Sequence, residues 1–226
     1  RDSAIPLRDI ALLSRGEYES WAGIPGFDFA YEHKGLLEIF QTPPGAAHAR
    51  HIAKQAQSLG LETSLMDADA LQQLEPHTKI NALGAILFKC DAHLYPNKLM
   101  QALLSLLRQN GVHLVGGTPV TGFDKKGTVI KKVITPVADF DAGAVVIATG
   151  AWSRNIAAMV NTQIPLMPGR GYSVTLENTP YRLHHPAVLT EGRVAITPMD
   201  GNKIRFGGTM EVVSTTTPPR YRRVQG

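Results

Sequence analysis

The run Val145-Val146-Ile147-Ala148-Thr149-Gly150-Ala151-Trp152-Ser153 is an apolar segment that ends in small residues and leads into a helical pattern. Small residues let another body approach the backbone, and Gly150 removes the side chain that would block it. A ligand lying across the carboxyl end of a strand is the general expectation for open α/β sheets. Ala148, Thr149, Gly150 and Trp152 are therefore candidate contacts of a nucleotide, although glycine after a central strand has a purely structural use as well. His93 and Tyr95 stand in a loop ahead of a helix, where they either face a ligand or satisfy local hydrogen bonds. Trp152 likewise either walls a site or packs in the core. His184-His185 has no third ligand at a sensible spacing, so no metal site is expected. Glu191, Glu211 and Asp139 form an acid and base only if the fold brings them together, and no serine sits in a G-x-S-x-G elbow.

The elements that must position these residues are legible in outline. The first 22 residues read as a helix followed by the turn Gly23-Ile24-Pro25-Gly26. Phe27, Phe29 and Tyr31 alternate with polar or small residues, and Gly35 separates them from Leu36 to Phe40, so two strands are expected. Helical spacing from Pro43 to Leu59 ends at Gly60. A shorter helix is expected between Asp67 as N-cap and Pro76. A strand over Ala85 to Lys89 precedes a helix with Leu99, Leu103, Leu106 and Leu107 on one face, capped by Asn97 and ended by Gly111. Val112 to Val115, Val120 to Phe123 and Val129 to Ile134 read as strands, and Ala144 to Ala148 as one buried on both faces. Tyr172 to Leu176, Val194 to Thr197 and Ile204 to Phe206 complete the strands, the last two joined by a type I′ hairpin across Asp200-Gly201.

The bulk numbers bound the function. A chain of 226 residues with 43% apolar and 19% charged residues can bury a sizeable core. Its formal charge of +4 comes without aromatic and basic residues interleaved as a stacking platform, so nucleic-acid binding is not expected. Only Cys90 is present, which excludes an internal disulfide, and it reads as buried filler. No apolar stretch is long enough to span a bilayer, and Arg1 opens no signal-peptide pattern.

Four further segments, with the Ala148 to Ser153 turn, resemble the D-amino-acid oxidase family in order and spacing, most closely its bacterial D-amino-acid dehydrogenase branch. Asp91-Ala92-His93-Leu94-Tyr95-Pro96 with the helix after it looks like that family's proline-led helix and return strand. Thr118-Pro119-Val120-Thr121-Gly122-Phe123 looks like the strand whose backbone, at Val120, meets the adenine end of FAD, and the turn through Ala148 to Ser153 is similar to the segment beneath the cofactor. Pro165 to Ser173 resembles the crossing into the substrate domain, and Arg205-Phe206-Gly207-Gly208-Thr209-Met210-Glu211 the strand end near the flavin ring.

The resemblance implies an α/β (α+β) fold: a substrate domain on a mixed β-sheet from residues 1–92 and 163–226, and a partial Rossmann-like FAD domain from 93–162. It implies FAD as cofactor, with Val120, Ala148, Thr149, Gly150 and Trp152 against it. It implies a small amino-acid substrate, with His93, Tyr95, Arg170, Tyr172, Arg205 and Met210 as candidate contacts. The implied reaction is oxidative deamination of a D-amino acid to a 2-oxo acid and ammonia, with a quinone-type electron acceptor. The cytoplasm is the expected location, with peripheral attachment to the inner membrane left open. Oxidation of glycine, sarcosine or proline is an alternative, as is a non-enzymatic α/β binding module. Two features depart from the family pattern. No G-x-G-x-x-G occurs, so the chain is expected to be a central portion that binds FAD weakly alone. The strand where relatives carry a carboxylate-gripping arginine reads Ile196-Thr197-Pro198-Met199, which leaves Arg205, Arg170 or an arginine outside this chain for that role.

Overall fold

The computed structural model describes residues 3–224; Arg1, with the signal-peptide reading made on it, and the last two residues lie outside them. The chain divides into two compact units, residues 1–110 with 172–209 and residues 111–171 with 210–226.

The first unit opens with α1 (Ala4–Ala22), then β1 (Leu36–Phe40), α2 (Pro43–Ser58), β2 (Thr63–Asp67), α3 (Ala68–Leu74), β3 (Gly84–Phe88) and α4 (Pro96–Gln109). It regains the chain in β7 (Gly169–Leu176), β8 (Ala187–Leu189), β9 (Val194–Met199) and β10 (Lys203–Val212). These strands form one mixed sheet of seven in the order β2-β3-β1-β8-β9-β10-β7. Strand β1 pairs antiparallel with β3 and parallel with β8, so both its neighbours come from distant stretches of chain. Alternation along β1 sorts the core. Leu37 and Ile39 join Leu71 of α3, Ala85 and Ala187 on one face, while Phe40 joins Ile86 and the alanines 46, 49 and 53 of α2 on the other. Small side chains on α2 let the helix lie close to the sheet. A third cluster, Phe27, Phe29 and Leu99, packs α1 and α4 together.

Local chemistry explains the helix boundaries. Thr42 caps α2 by accepting from Gly45 N at 3.1 Å, and Asp67 caps α3 by accepting from Ala70 N at 2.9 Å. The expected Asn97 cap of α4 is corrected: Tyr95 takes the cap position and Pro96 the first helical one, because proline's fixed φ and missing N–H suit that place. The expected strand Phe27 to Glu32 is also corrected. Asp28 accepts the Ala30 N–H at 2.9 Å and Ala30 has φ of 51°, a turn that breaks the extension and leaves one bridge, Glu32 to His93. The Asp200-Gly201 hairpin takes in Asn202 as well, since Met199 pairs with Lys203, and both Gly201 and Asn202 carry positive φ. Cys90 is half-buried, not filler.

Gly84 marks the tightest approach in the sheet: a Cβ there would stand 2.3 Å from the Met66 carbonyl oxygen and 3.0 Å from the Phe40 ring. Gly84→Ala is expected to destabilise the chain by about 1–3 kcal/mol through overpacking, read as a lowered urea midpoint at unchanged slope.

The second unit holds β4 (Gly122–Lys126), β5 (Val129–Ile134) and β6 (Asp139–Asp141) as a three-stranded antiparallel sheet, and the short helix α5 (Ser153–Ala158). The expected strands at Val112 to Val115 and Ala144 to Ala148 are not formed, and Val146 is 86% exposed. An apolar run becomes a strand buried on both faces only when neighbours pair with it and cover it. Among the described residues none does. Helix α4, expected with the cofactor part, belongs to the first unit, because Leu99 packs on Phe27 and Phe29.

Candidate functional site

In the first unit a cavity of about 190 Å³ is lined by Glu32, Lys34, His93, Tyr95, His184 and Asp200 among others. Its frame is the bridge in which Glu32 N donates to His93 O at 2.9 Å and His93 N donates to Glu32 O at 3.0 Å. The Glu32 carboxylate carries the Lys34 ammonium at 2.5 Å and faces His93 Nε2 at 3.5 Å. Burial pushes the His93 imidazole below its ordinary value, with Glu32 pulling the other way. Across the cavity Lys98 pairs with Asp200 at 2.8 Å and lies 5.6 Å from the centre of the Tyr95 ring. Their hydrogen bond holds the Lys98 ammonium above and the Asp200 carboxyl below their usual ranges.

One wall of this cavity is braced from behind. Glu75, fully buried, accepts from the backbone N–H of His184 at 2.7 Å and of His185 at 2.9 Å, and meets His185 Nδ1 at 2.6 Å. The adjacent histidines thus serve the fold: His185 pairs with Glu75 and the His184 ring lies tilted by 59° against His77, centroids 5.1 Å apart. No group of three His, Cys, Asp or Glu able to hold a metal occurs among the described residues.

The structure brings His93 and Tyr95 to one cavity. Arg205 is exposed on β10, its Nε and Nη2 donating to Ser173 Oγ at 3.1 and 2.9 Å, and the neighbouring Tyr172 is half-buried. Sequence reasoning missed Glu32, Lys34 and Asp200 as lining residues and Glu75 as a brace. Asp200 lay inside a turn signal, and Glu75 was hidden beside Pro76, which reads only as a helix stop.

In the second unit Ala148, Thr149 and Gly150 are exposed, and so is Trp152 at 59%, which removes the core reading of that tryptophan. Trp152 N donates to Thr149 O and Thr149 Oγ1 to Ser153 Oγ, each at 3.1 Å, which closes the turn. Gly150 has φ of 53°, and no atom lies within 4 Å of where its Cβ would be, so its backbone is open to another body. Val120 is half-buried just ahead of β4. Arg170 is committed to Glu211 at 3.4 Å and to the Thr217 carbonyl, while Met210 is 69% exposed. No described helix is long and apolar enough to cross a membrane.

Comparison with known proteins adds a family. The family model DAO, described as FAD dependent oxidoreductase, matches residues 2–225. Hydrogen cyanide synthase subunit HcnC of Pseudomonas aeruginosa is 33% identical over 207 residues, covering 89% of this chain and 49% of that protein. D-amino acid dehydrogenase of Granulibacter bethesdensis is 27% identical over 224 residues, covering 95% of this chain and 52% of that one. The chain spans about half the length of these curated relatives. Glycine oxidase from Bacillus cereus has the same fold, with a TM-score of 0.82 at 22% identity over 97% of this chain and 61% of that one. The mixed α/β fold expected from the sequence is the one observed, and the chain belongs to the DAO family of FAD-dependent oxidoreductases.

Proposed function

We propose that the chain is the substrate-binding part, with one section of the flavin-binding part, of an enzyme that oxidises D-amino acids to 2-oxo acids and ammonia. In this reading the division into substrate and cofactor parts follows the expected segments 1–92, 93–162 and 163–226, with α4 assigned to the substrate part. One observation carries the reading beyond family membership: in the exposed turn Ala148-Thr149-Gly150, nothing stands within 4 Å of where a Cβ on Gly150 would be, so its backbone is open to a planar group. These residues fit FAD, which would lie along that turn with Trp152 beside it and its adenine end toward Val120. Bound there, the flavin would supply the electron-accepting chemistry for oxidation at the substrate Cα.

The chain's own residues bind and orient. Arg205 suits the substrate carboxylate better than Arg170. It is exposed, and its one partner among the described residues, Ser173, uses two of its donors, whereas Arg170 is already spent on Glu211 and Thr217. Tyr172, next to Ser173, is a further candidate contact of the substrate, as is the exposed Met210, and His93 with Tyr95 lines a polar cleft. A quinone-type acceptor, and a cytoplasmic enzyme peripheral to the inner membrane, belong to this reading.

The test is a substrate screen on the natural full-length protein with a redox dye. D-amino acids are expected to bleach it and their L enantiomers not. Arg205→Met is expected to raise KM by about tenfold to a hundredfold with kcat little changed, the loss of charge-assisted hydrogen bonds made equally in ground and transition states. Full-length protein without flavin, or inert to D-amino acids, overturns the reading. A second reading, oxidation of a substrate other than a D-amino acid, such as glycine, sarcosine or proline, is favoured by the higher identity to a hydrogen cyanide synthase subunit than to the D-amino acid dehydrogenase. The same screen separates the two. The 226-residue chain alone is expected to hold FAD weakly, because it contains no G-x-G-x-x-G to seat the pyrophosphate. Purification of that chain with stoichiometric yellow flavin contradicts this.

A further inference from the structure

Strand β1 carries a carboxylate, Glu38, between Leu37 and Ile39 of the core. It lies on the face of the sheet that α2 covers, and its neighbour on β3, Ile86, is fully buried against the α2 alanines. Toward β8 that cover ends. Glu38 stands level with Val188 of β8, Val188 with Ala195 of β9, and Ala195 with Gly207 of β10. Residues directly opposite share a face, so a row of small side chains runs from Glu38 to β10, and Ala195 within it is exposed. Two residues along β10 on the same face, level with Thr197, stands the exposed Arg205.

This floor therefore has a carboxylate at one end and a guanidinium at the other. Glu38 is half-buried, and among the described residues no cation pairs with it; its carboxylate accepts only from the Thr190 hydroxyl, 3.4 Å from Oε1. An ionised carboxylate can accept about four hydrogen bonds, and a partly desolvated charge is held at a cost unless it is paired. Glu38 thus calls for a cation, and the bond to Thr190 leans it toward β8, over the floor.

The spacing sets the size of the molecule that joins the two ends. Strands lie about 4.8 Å apart and rise about 3.4 Å per residue, which puts the Cα atoms of Glu38 and Arg205 about 16 Å apart. Strand side chains stand roughly upright from the sheet. Arg205 leans toward Ser173 of β7 as Glu38 leans toward β8, so both are displaced in one direction and the separation is kept. An extended arginine or lysine measures about 7.5 Å from its carboxylate carbon to its distal charge. Charge-assisted hydrogen bonds at both ends add about 4 Å each between the carbons they join, which fills the gap. An amino acid with a short or uncharged side chain leaves Glu38 unpaired.

On the reading that the chain serves D-amino-acid oxidation with Arg205 on the substrate carboxylate, we propose that the substrate is a basic D-amino acid of the size of arginine or lysine. Glu38 selects it by pairing with the distal cation.

Steady-state kinetics of the natural full-length protein with D-arginine and D-norleucine, which differ in the distal charge, test the inference. D-arginine is expected to show a kcat/KM higher by about tenfold or more. Glu38→Gln, which keeps the size and removes the charge, is expected to lower that ratio by about tenfold or more, chiefly through KM for D-arginine, and Glu38→Asp to lower it less. Arg205→Met is expected to weaken both substrates and leave their ratio within about twofold, because both carry the same carboxylate. Thermal melts establish that each variant is folded. D-arginine no better than D-norleucine, or a ratio indifferent to folded Glu38→Gln, overturns the role of Glu38 and leaves D-amino-acid oxidation standing. Inertness to every D-amino acid overturns that oxidation and this inference with it.

Discussion

Glu75→Ala is expected to destabilise the chain by about 3–5 kcal/mol, the cost of breaking a buried charged network by deleting one member. Glu75 lies at the end of α3 with its side chain fully buried. It receives two consecutive backbone N–H groups and the His185 ring just ahead of β8. Alanine leaves those donors in the protein interior with no acceptor. The damage has a direction, because β8 is the strand that runs parallel to β1 in the middle of the sheet. Next to the same segment, Thr78 Oγ1 donates to the Arg182 carbonyl at 2.6 Å, but that one bond does not replace three. The expected fall in Tm, followed by circular dichroism, is on the order of 10 °C for a chain of this size. Leu183 and His184 line the cavity that holds His93 and Tyr95, so the variant should also lose ligand affinity there before it melts. A Tm within about 2 °C of the parent would show that the segment is held by something else.

Phe29→Ala is expected to cost a similar about 3–5 kcal/mol by a different route, the cavity left by a buried ring. Phe29 is 1% exposed and sits at the centre of an aromatic group, its ring centroid 5.5 Å from Phe27, 6.0 Å from Tyr31 and 6.4 Å from Tyr18. Its carbonyl accepts the Tyr95 N–H at 3.0 Å, which ties the aromatic group to the start of α4. The surrounding rings are rigid and cannot collapse into the space. Urea unfolding is the measurement: the midpoint should fall at constant slope, with Phe29→Leu losing about half as much. An unchanged midpoint for the alanine variant would mean that α1 and α4 are not held through this ring.

Much of the fold was legible because local signals and tertiary context agreed. The aspartate cap of α3, the glycines after the long helices and the apolar runs of β1 and β3 each act over a few residues, and the chain obeyed them. The failures have separate physical causes. Ala144 to Ala148 has the composition of a buried strand, yet burial is a property of neighbours, and among the described residues nothing pairs with it. Phe27 to Glu32 alternates like a strand, but an aspartate side chain captured a backbone N–H and turned the chain.

The sequence by itself determined the family, through several motifs whose order and spacing are jointly specific, and with it the class of fold. The tertiary structure alone decided which polar residues meet: that Glu32 reaches His93 across a bridge, that Glu75 serves two histidines more than a hundred residues away, and that Arg170 is spent on Glu211 while Arg205 is not. Motifs record the local backbone demands of a cofactor. Side-chain pairings between distant segments follow from strand order and register, which no local pattern encodes.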